Sequence, residues 1–152
     1  MKIGITFDLK EAAPAATDVP DDHQEEFDSP ATVEAIAAEL RRLGHEPVPL
    51  GNGPDMLARV LRDPPDFVFN FAEGRGTSRS REARVPAVLE MLGIPFTGSD
   101  PLTLAVTLDK DCARRLVASH GGTVPGGEVF PVDADLDAVR RRPSLPYPLI
   151  VK

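Results

Sequence analysis

Two lysines of this chain have positions that could support chemistry on an anion. Lys110 falls in the first turn of a predicted helix, where a cation opposes the helix dipole. Either Asp109 and Asp111 beside it neutralise its charge, or it reaches a bound anion such as a phosphate, which a helix N-terminus also favours. Lys152 follows three apolar residues. It is either an exposed strand end or a lysine held toward a phosphate by a rigid strand.

A second candidate is the polar, glycine-containing stretch at residues 73–81, which follows a predicted strand and carries Arg75, Arg79 and Arg81. A guanidinium pairs with a planar carboxylate through two parallel hydrogen bonds, so this stretch could bind an anion or a carboxylate. The alternative is a solvated loop. The Gly-Arg-Gly sequence at 74–76 completes neither a dinucleotide-binding fingerprint nor a P-loop, so no motif supports a kinase or a dehydrogenase.

The remaining reactive side chains predict no catalytic group. His23, His45 and His120 are scattered without metal-ligand spacing. Cys112 lies within a predicted helix with no identifiable base, which indicates a small packed or inert residue. The sequence therefore supports neither nucleophilic catalysis nor a metal site.

Composition limits the classes of partner. The 152 residues carry a net charge of −7, which disfavours nucleic acid and anionic membranes as partners. A single cysteine excludes an internal disulfide and favours a reducing compartment. No apolar run approaches the roughly 20 residues that span a bilayer. We therefore expect a soluble, cytoplasmic protein.

The first half of the chain alternates between predicted strands and helices. Ser29 and the proline after it begin the clearest helix, which Gly44 ends. Alternation of this kind predicts a parallel sheet, in which ligands bind beyond the carboxyl ends of the strands. Those ends follow Phe7, Leu50 and Asn70. The predicted strands cover residues 2–7, 46–50 and 66–70, with helices at 30–43 and 54–61; the apolar helix positions are Val33, Ile36, Ala37, Leu40 and Leu43, then Met56, Leu57, Val60 and Leu61.

The second half predicts a helix capped by Ser78 or Ser80 and ended by Gly93, and then a short helix capped by Asp100. Further elements are predicted at 94–96 (strand), 108–119 (helix), 124–131 (strand), 134–141 (helix) and 148–152 (strand). Because the chain stops inside its last predicted strand, we expect it to be the N-terminal part of a longer protein.

An acidic stretch at residues 18–28 contains no lysine or arginine. Like charges at this density repel one another, which favours a solvated or mobile loop. A connection this long is unusual in a compact domain, and the alternative interpretation is a substrate lid.

The stretch LGIPFTGSDPLTLAVTLDK at residues 92–110, with the segments 66–70, 81–90 and 147–152, resembles the D-alanine–D-alanine ligase-like branch of the ATP-grasp superfamily. The resemblance covers essentially the whole chain and is clearest from residue 66 onward. It implies an α/β fold: a Rossmann-like, parallel-sheet pre-ATP-grasp domain at residues 1–100. Residues 101–152 would then be a linker helix and the incomplete beginning of the ATP-grasp domain.

The resemblance also implies a chemistry. ATP phosphorylates a carboxylate, and an amine attacks the resulting acylphosphate. Lys110 and Lys152 match the family's two ATP-contacting lysines, and Glu73 and Arg81 become candidate substrate-binding residues. ATP and Mg²⁺ are the implied cofactors, with the metal-binding carboxylates expected beyond Lys152. We therefore expect no catalytic residue, no metal ligand and no ligase activity in the 152-residue chain alone.

Two differences from the family's pattern concern the substrate. Phe7-Asp8-Leu9-Lys10 replaces a glycine- and serine-rich turn that carries a substrate-binding glutamate, and Glu73-Gly74 replaces a histidine–glycine pair. They favour another amino acid or a peptide carboxylate over D-alanine as substrate. The sequence leaves open whether the protein forms a homodimer. The alternative function is a non-catalytic ligand-binding or interaction module that keeps the Rossmann-like half.

Overall fold

The computed structural model describes residues 1–11, 24–131, 133–135, 137, 145–146 and 148. The chain divides into two compact units, Met1–Leu108 and Asp109–Lys152. The predicted domain boundary at residue 100 stays a prediction. The predicted helix at 134–141 and strand at 148–152 fall largely outside the described residues, and Lys152 falls outside them altogether.

In the described part of the chain, strands alternate with helices as the sequence predicts. Three parallel strands form one sheet in the order β2-β1-β3, so β1 lies in the middle. The predicted α/β fold with a parallel sheet is confirmed. The elements are β1 (Lys2–Thr6), α1 (Pro30–Arg42), β2 (Glu46–Pro49), α2 (Gly53–Arg62), β3 (Phe67–Asn70), α3 (Arg84–Met91), α4 (Pro101–Leu108) and α5 (Lys110–Ser119).

Strand β2 lies at an edge of the sheet, as its two prolines predict, because a proline has no N–H to donate to a second neighbour. The backbone N–H of Glu46 donates to Met1 over 2.9 Å, and that of Leu50 donates to Ile5 over 2.8 Å. Pro47 and Pro49 occupy the alternate positions. β2 therefore pairs with β1 through its non-proline residues.

The N-terminal cap of α1 is confirmed. The Ser29 hydroxyl accepts a hydrogen bond from the backbone N–H of Thr32 over 3.2 Å, and Pro30 is the first helical residue. Gly44 follows the helix with φ +82°, a conformation that glycine adopts without strain. Val33 and Ala37 of α1 are buried, and the helix packs next to β2.

Two of the predicted core positions are wrong. Leu43 is 56% exposed and Leu61 is 60% exposed. Leu43 is the C-cap of α1, beyond its last full turn, and so leaves the apolar stripe. Leu61 follows the buried Val60 directly, and a step of about 100° around the helix turns it away from the core.

The main core lies between β3 and the helices α2 and α3. Leu89 and Val68 are fully buried in it. Val48, Leu92 and Phe96 pack against it while partly exposed. Its buried members are Leu50, Met56, Val60, Val68, Ala72, Val85, Leu89 and Ile94.

The predicted start of α3 is wrong. The helix begins at Arg84, and its N-cap residue Ala83 makes no side-chain cap hydrogen bond. Ser78 and Ser80 instead lie in turns that precede the helix: their carbonyls accept from the N–H groups of Arg81 and Ala83 at 3.1 and 3.2 Å. The two serines therefore shape the loop rather than cap the helix.

Two predicted strands are also corrected. Residues 94–96 form only one bridge to the sheet, between Phe96 and Val68. Residues 124–131, all of them described, contain no strand. Pro125, Gly126 and Gly127 follow one another there, and neither residue type favours the interior of a strand.

The two helices predicted after residue 100 are confirmed as α4 and α5, and the second begins at Lys110 rather than at Leu108. Asp100 caps α4 as predicted, since its Oδ1 accepts from the N–H of Thr103 over 2.8 Å. Asp109 caps α5 by accepting from the N–H of Cys112 over 3.0 Å. Among the described residues, no helix has the length and apolar character needed to cross a bilayer.

Candidate functional site

A buried carboxylate lies where the carboxyl ends of the strands meet. Asp8 follows β1, and its side chain is 1% exposed. The amide Nδ2 of Asn52 donates to both of its oxygens, at 3.1 and 3.0 Å. The N–H of Gly74 donates to Oδ2 at 2.8 Å, and Nε of Arg75 donates to Oδ1 at 3.3 Å. One carboxylate therefore joins the segments that follow all three strands.

The partners of Asp8 are themselves fixed by local structure. Asn52 is the N-cap of α2, and its Oδ1 accepts from the N–H of Gly53 at 2.6 Å. Gly74 has φ +78°, and a Cβ on it would overlap the backbone carbonyl of Arg81. Only glycine fits this turn and lets its N–H reach the carboxylate.

Arg75 connects the site to the segment after β1. Its guanidinium pairs with Glu11 and donates to the carbonyl of Leu9 over 3.1 Å. It also lies 5.7 Å from the ring centre of Phe27, within cation–π range. The hydrogen bond to Glu11 raises the pKa of Arg75 above its usual value. This member of the arginine-containing stretch therefore binds carboxylates of its own chain.

Glu73 and Arg81, the two predicted substrate-binding residues, lie in one cluster of charges. Burial raises the pKa of Glu73, the neighbouring carboxylates of Glu82 and Glu26 raise it further, and Arg81 opposes them. Arg81 is 18% exposed and pairs with Glu26 at 2.6 Å and with Glu82 at 3.8 Å. Their role toward a substrate stays a prediction.

The described end of the acidic stretch, residues 24–28, packs onto this cluster. The N–H of Asp28 donates to the Asp8 carbonyl over 2.8 Å, and the N–H of Lys10 donates to the Asp28 carbonyl over 3.0 Å. Burial and the negative charge of Asp8 raise the pKa of Asp28, whereas the positive charge of Lys10 lowers it. Lys10 and Arg81, which lie outside the acidic stretch, thus offset the negative charge of residues 24–28. The interpretation as a lid stays a prediction.

A cavity of about 670 Å³ opens beside Asp8, at the ends of β1 and β2. Its position agrees with the prediction that ligands bind beyond the carboxyl ends of the strands. Its walls are mostly apolar, with a few polar groups. The lining residues are Phe7, Asp8, Leu9, Gly51, Asn52, Gly53, Pro54, Met56, Leu57, Arg75, Arg84, Val85 and Val88.

Lys110 lies in the first turn of α5, as predicted, where it is the first helical residue, and its side chain is exposed. Of its two acidic neighbours, Asp109 caps the helix, and Asp111 pairs with Arg114 at 2.6 Å. Cys112 on the same helix is exposed, so the packed alternative is wrong, and its inertness stays a prediction. The assignment of Lys110 and Lys152 to ATP stays a prediction.

The sequence directs attention to the residues after Phe7, Leu50 and Asn70 but does not single out Asp8 or Asn52 as site residues. Asp8 comes two residues after the end of β1 and Asn52 three residues after the end of β2, in the region where a parallel sheet binds ligands. Only this position in the sequence could have indicated that Asp8 and Asn52 belong to the site. Nothing in the sequence indicates that a residue following β1 accepts hydrogen bonds from residues 44 and 66 positions later.

No protein-family model matches the chain. Curated relatives do match it. It is 38% identical over 105 residues to a D-alanine–D-alanine ligase of Aquifex aeolicus, a match that covers 69% of this chain and 35% of the relative. The corresponding enzyme of Gluconobacter oxydans is 35% identical over 122 residues, which cover 78% of this chain and 38% of that enzyme. This chain is a homologue of the D-alanine–D-alanine ligases.

The homologous region is the N-terminal portion of these ligases, and the chain spans about a third of their length. Solved structures agree in fold. A D-alanine–D-alanine ligase from Bacillus anthracis superposes with a TM-score of 0.59 and 20% identity, covering 93% of this chain and 43% of that one. The same enzyme complexed with ATP gives a TM-score of 0.51 at 19% identity, with coverage of 91% and 44%.

Proposed function

We propose that this chain is the N-terminal part of an ATP-dependent carboxylate–amine ligase that works through an acylphosphate. The observation that carries the proposal is its 38% identity over 105 residues to a D-alanine–D-alanine ligase. The position of the polar site supports it, because Asp8, Asn52 and Gly74 meet where parallel sheets bind ligands.

In this proposal the first unit contributes to the substrate site. Arg81 presents a guanidinium that suits the planar carboxylate of an amino acid or peptide. Glu73, when ionised, would hold the ammonium group of the same molecule. The carboxylates of Glu26 and Glu82 hold Arg81 before a substrate binds, and the charge of Arg81 partly offsets their repulsion of Glu73.

ATP is the proposed co-substrate, and Lys110 and Lys152 are its proposed ligands. Two lysine ammonium groups would offset the charge of a polyphosphate. Among the described residues, no three acidic, histidine or cysteine side chains are grouped so that they could hold a metal ion. Mg²⁺, which supplies charge stabilisation to a transferring phosphate when bound, is the other proposed cofactor, and its ligands are proposed to lie beyond Lys152.

A requirement for ATP and the single cysteine favour the cytoplasm as the site of action. A small amino acid or peptide is the proposed partner, and a homodimer stays a prediction.

The test uses the complete protein that contains this chain. ADP release is followed in a coupled assay with ATP, Mg²⁺ and a panel of D- and L-amino acids, and the product is identified by mass spectrometry. We expect ADP release together with a new amide bond for at least one amino acid, and none from the 152-residue chain alone. If the complete protein releases no ADP with any amino acid in the panel, the result would contradict the ligase and favour the non-catalytic binding module. Turnover by the 152-residue chain would contradict its predicted inactivity.

A further inference from the structure

The cavity beside Asp8 has the size and lining of a small-molecule site. Its volume of about 670 Å³ falls within the range of roughly 300–1,000 Å³ typical of ligand pockets. Most of its wall is apolar and comes from three elements: the end of β1, the first turn of α2 and the helix α3. A ligand that fills it must therefore carry a sizeable apolar group.

The apolar wall is rigid at its base. Met56 and Val85 are each only 2% exposed and belong to the main core. Phe7, Leu57 and Val88 are partly exposed, which leaves their surfaces available to a bound group. A single methyl group would occupy a small part of this volume, whereas a branched or aromatic side chain would contact several walls.

The polar groups at the edge of the cavity differ in how many hydrogen bonds they can still make to a ligand. The carboxylate of Asp8 already accepts hydrogen bonds from Asn52, Gly74 and Arg75, and Arg75 is itself engaged with Glu11. Arg84 is exposed, and one of its five N–H groups donates to the Arg75 carbonyl over 3.1 Å. Its remaining N–H groups suit a carboxylate.

We propose that this cavity binds the apolar side chain of an amino-acid carboxylate larger than alanine, with Arg84 pairing with the carboxylate. The inference rests on the proposed function in taking the ligand to be an amino acid, and it specifies the substrate class. This amino acid is the second of the two substrates that the ligase joins, distinct from the molecule that Arg81 and Glu73 are proposed to bind. The cavity then acts as the part of the site that selects the side chain.

The test measures direct binding to the 152-residue chain by calorimetry, without ATP. The probes are alanine, leucine and phenylalanine as D- and L-enantiomers, together with the amides of leucine and phenylalanine, which lack the carboxylate. We expect one enantiomer of leucine or phenylalanine to bind at least about tenfold more tightly than the same enantiomer of alanine, because added apolar groups gain contact with the wall. We expect the amides to bind at least about tenfold more weakly than the acids.

Two pairs of variants locate the binding. Val88→Phe fills the cavity, and Met91→Phe adds the same side chain to an exposed position of α3 outside it. Arg84→Gln removes the proposed carboxylate partner, and Arg62→Gln removes an exposed arginine of α2 that does not line the cavity. The first member of each pair should lose at least about tenfold in affinity, and the second should bind like the unaltered chain.

Circular dichroism checks each variant for folding. If Val88→Phe does not fold, the exposed Arg84→Gln carries the test. Equal binding of alanine and the larger amino acids, no binding at all, or binding unaffected by Arg84→Gln would overturn the proposal. Adenosine binding that Val88→Phe abolishes would overturn it too, by assigning the cavity to a nucleotide. If the binding test fails but the complete protein still releases ADP, only the inference about the cavity is contradicted. If a larger amino acid binds tightly but the complete protein releases no ADP, only the ligase proposal is contradicted.

Discussion

Asp8 shows how one side chain can organise a site. Its carboxylate is almost completely removed from solvent and accepts hydrogen bonds from residues 44 to 67 positions away. A buried carboxylate without such partners would cost several kcal/mol, so the three donors make its burial possible. The strand ends and the cavity wall therefore depend on the charge of this one residue.

Replacing Asp8 with Asn should destabilise the chain by about 1–3 kcal/mol, because an amide –NH₂ would face donors that need an acceptor. Urea unfolding followed by circular dichroism measures the change. Glu90→Gln, the same change of charge at an exposed position of α3, should leave the free energy of unfolding nearly unaltered. Equal stability of the two variants would show that Asp8 does not organise the strand ends.

Glu73 makes stability depend on pH in a defined direction. Its pKa is raised from the usual 4.5, first by burial and then by Glu82 and Glu26. Between 4.5 and the raised value the folded state binds more protons than the unfolded state, so stability falls as the pH rises through this window. Glu73→Gln removes the effect.

Relative to the unaltered chain, the Glu73→Gln variant should therefore gain stability as the pH rises from 4 to 7. The advantage should disappear below pH 4.5. Urea unfolding at several pH values measures it, with Glu90→Gln as the reference for an exposed glutamate. An advantage that is larger at pH 4 than at pH 7 would contradict the raised pKa.

At the scale of elements, the turn at Gly74 holds the loop between β3 and α3. Gly74→Ala combines a left-handed backbone at φ +78° with a clash against the Arg81 carbonyl, whereas Gly76→Ala, at φ +89°, meets open space. Strain alone costs about 1–2 kcal/mol. Urea unfolding should show that loss for Gly76→Ala and a larger one for Gly74→Ala. Equal losses would mean that the close approach to Arg81 contributes nothing.

The elements also show how far the sequence could predict the fold. Ser29 and Asp100 act locally, on N–H groups three residues away, so their caps follow from the sequence alone. Ser78 and Ser80 look the same in sequence but lie in turns before α3, where their carbonyls accept hydrogen bonds from the N–H groups of Arg81 and Ala83. The parallel sheet was predictable from alternation, whereas the Asp8 hydrogen bonds were not, because only the finished fold brings their partners together.

At the scale of the whole molecule, the ligase proposal makes Lys110 and Lys152 ligands of one nucleotide. In the complete protein, Lys110→Ala and Lys152→Ala should each raise the apparent Michaelis constant for ATP more than that for the amine substrate, since a lost ammonium group weakens binding of the polyphosphate. Initial rates of ADP release measure both constants. Arg115→Ala, which removes an exposed cation from α5, is the control for Lys110. Unchanged ATP constants in both lysine variants would remove the assignment.

The prolines of β2 have a further consequence for the behaviour of the chain in concentrated solution. Glu46 and Leu50 direct their N–H groups inward to β1, so the alternate positions, Pro47 and Pro49, face outward. An incoming strand from another molecule would find neither of the donors it needs there. This edge of the sheet is thereby protected against intermolecular β-pairing, the first step of aggregation.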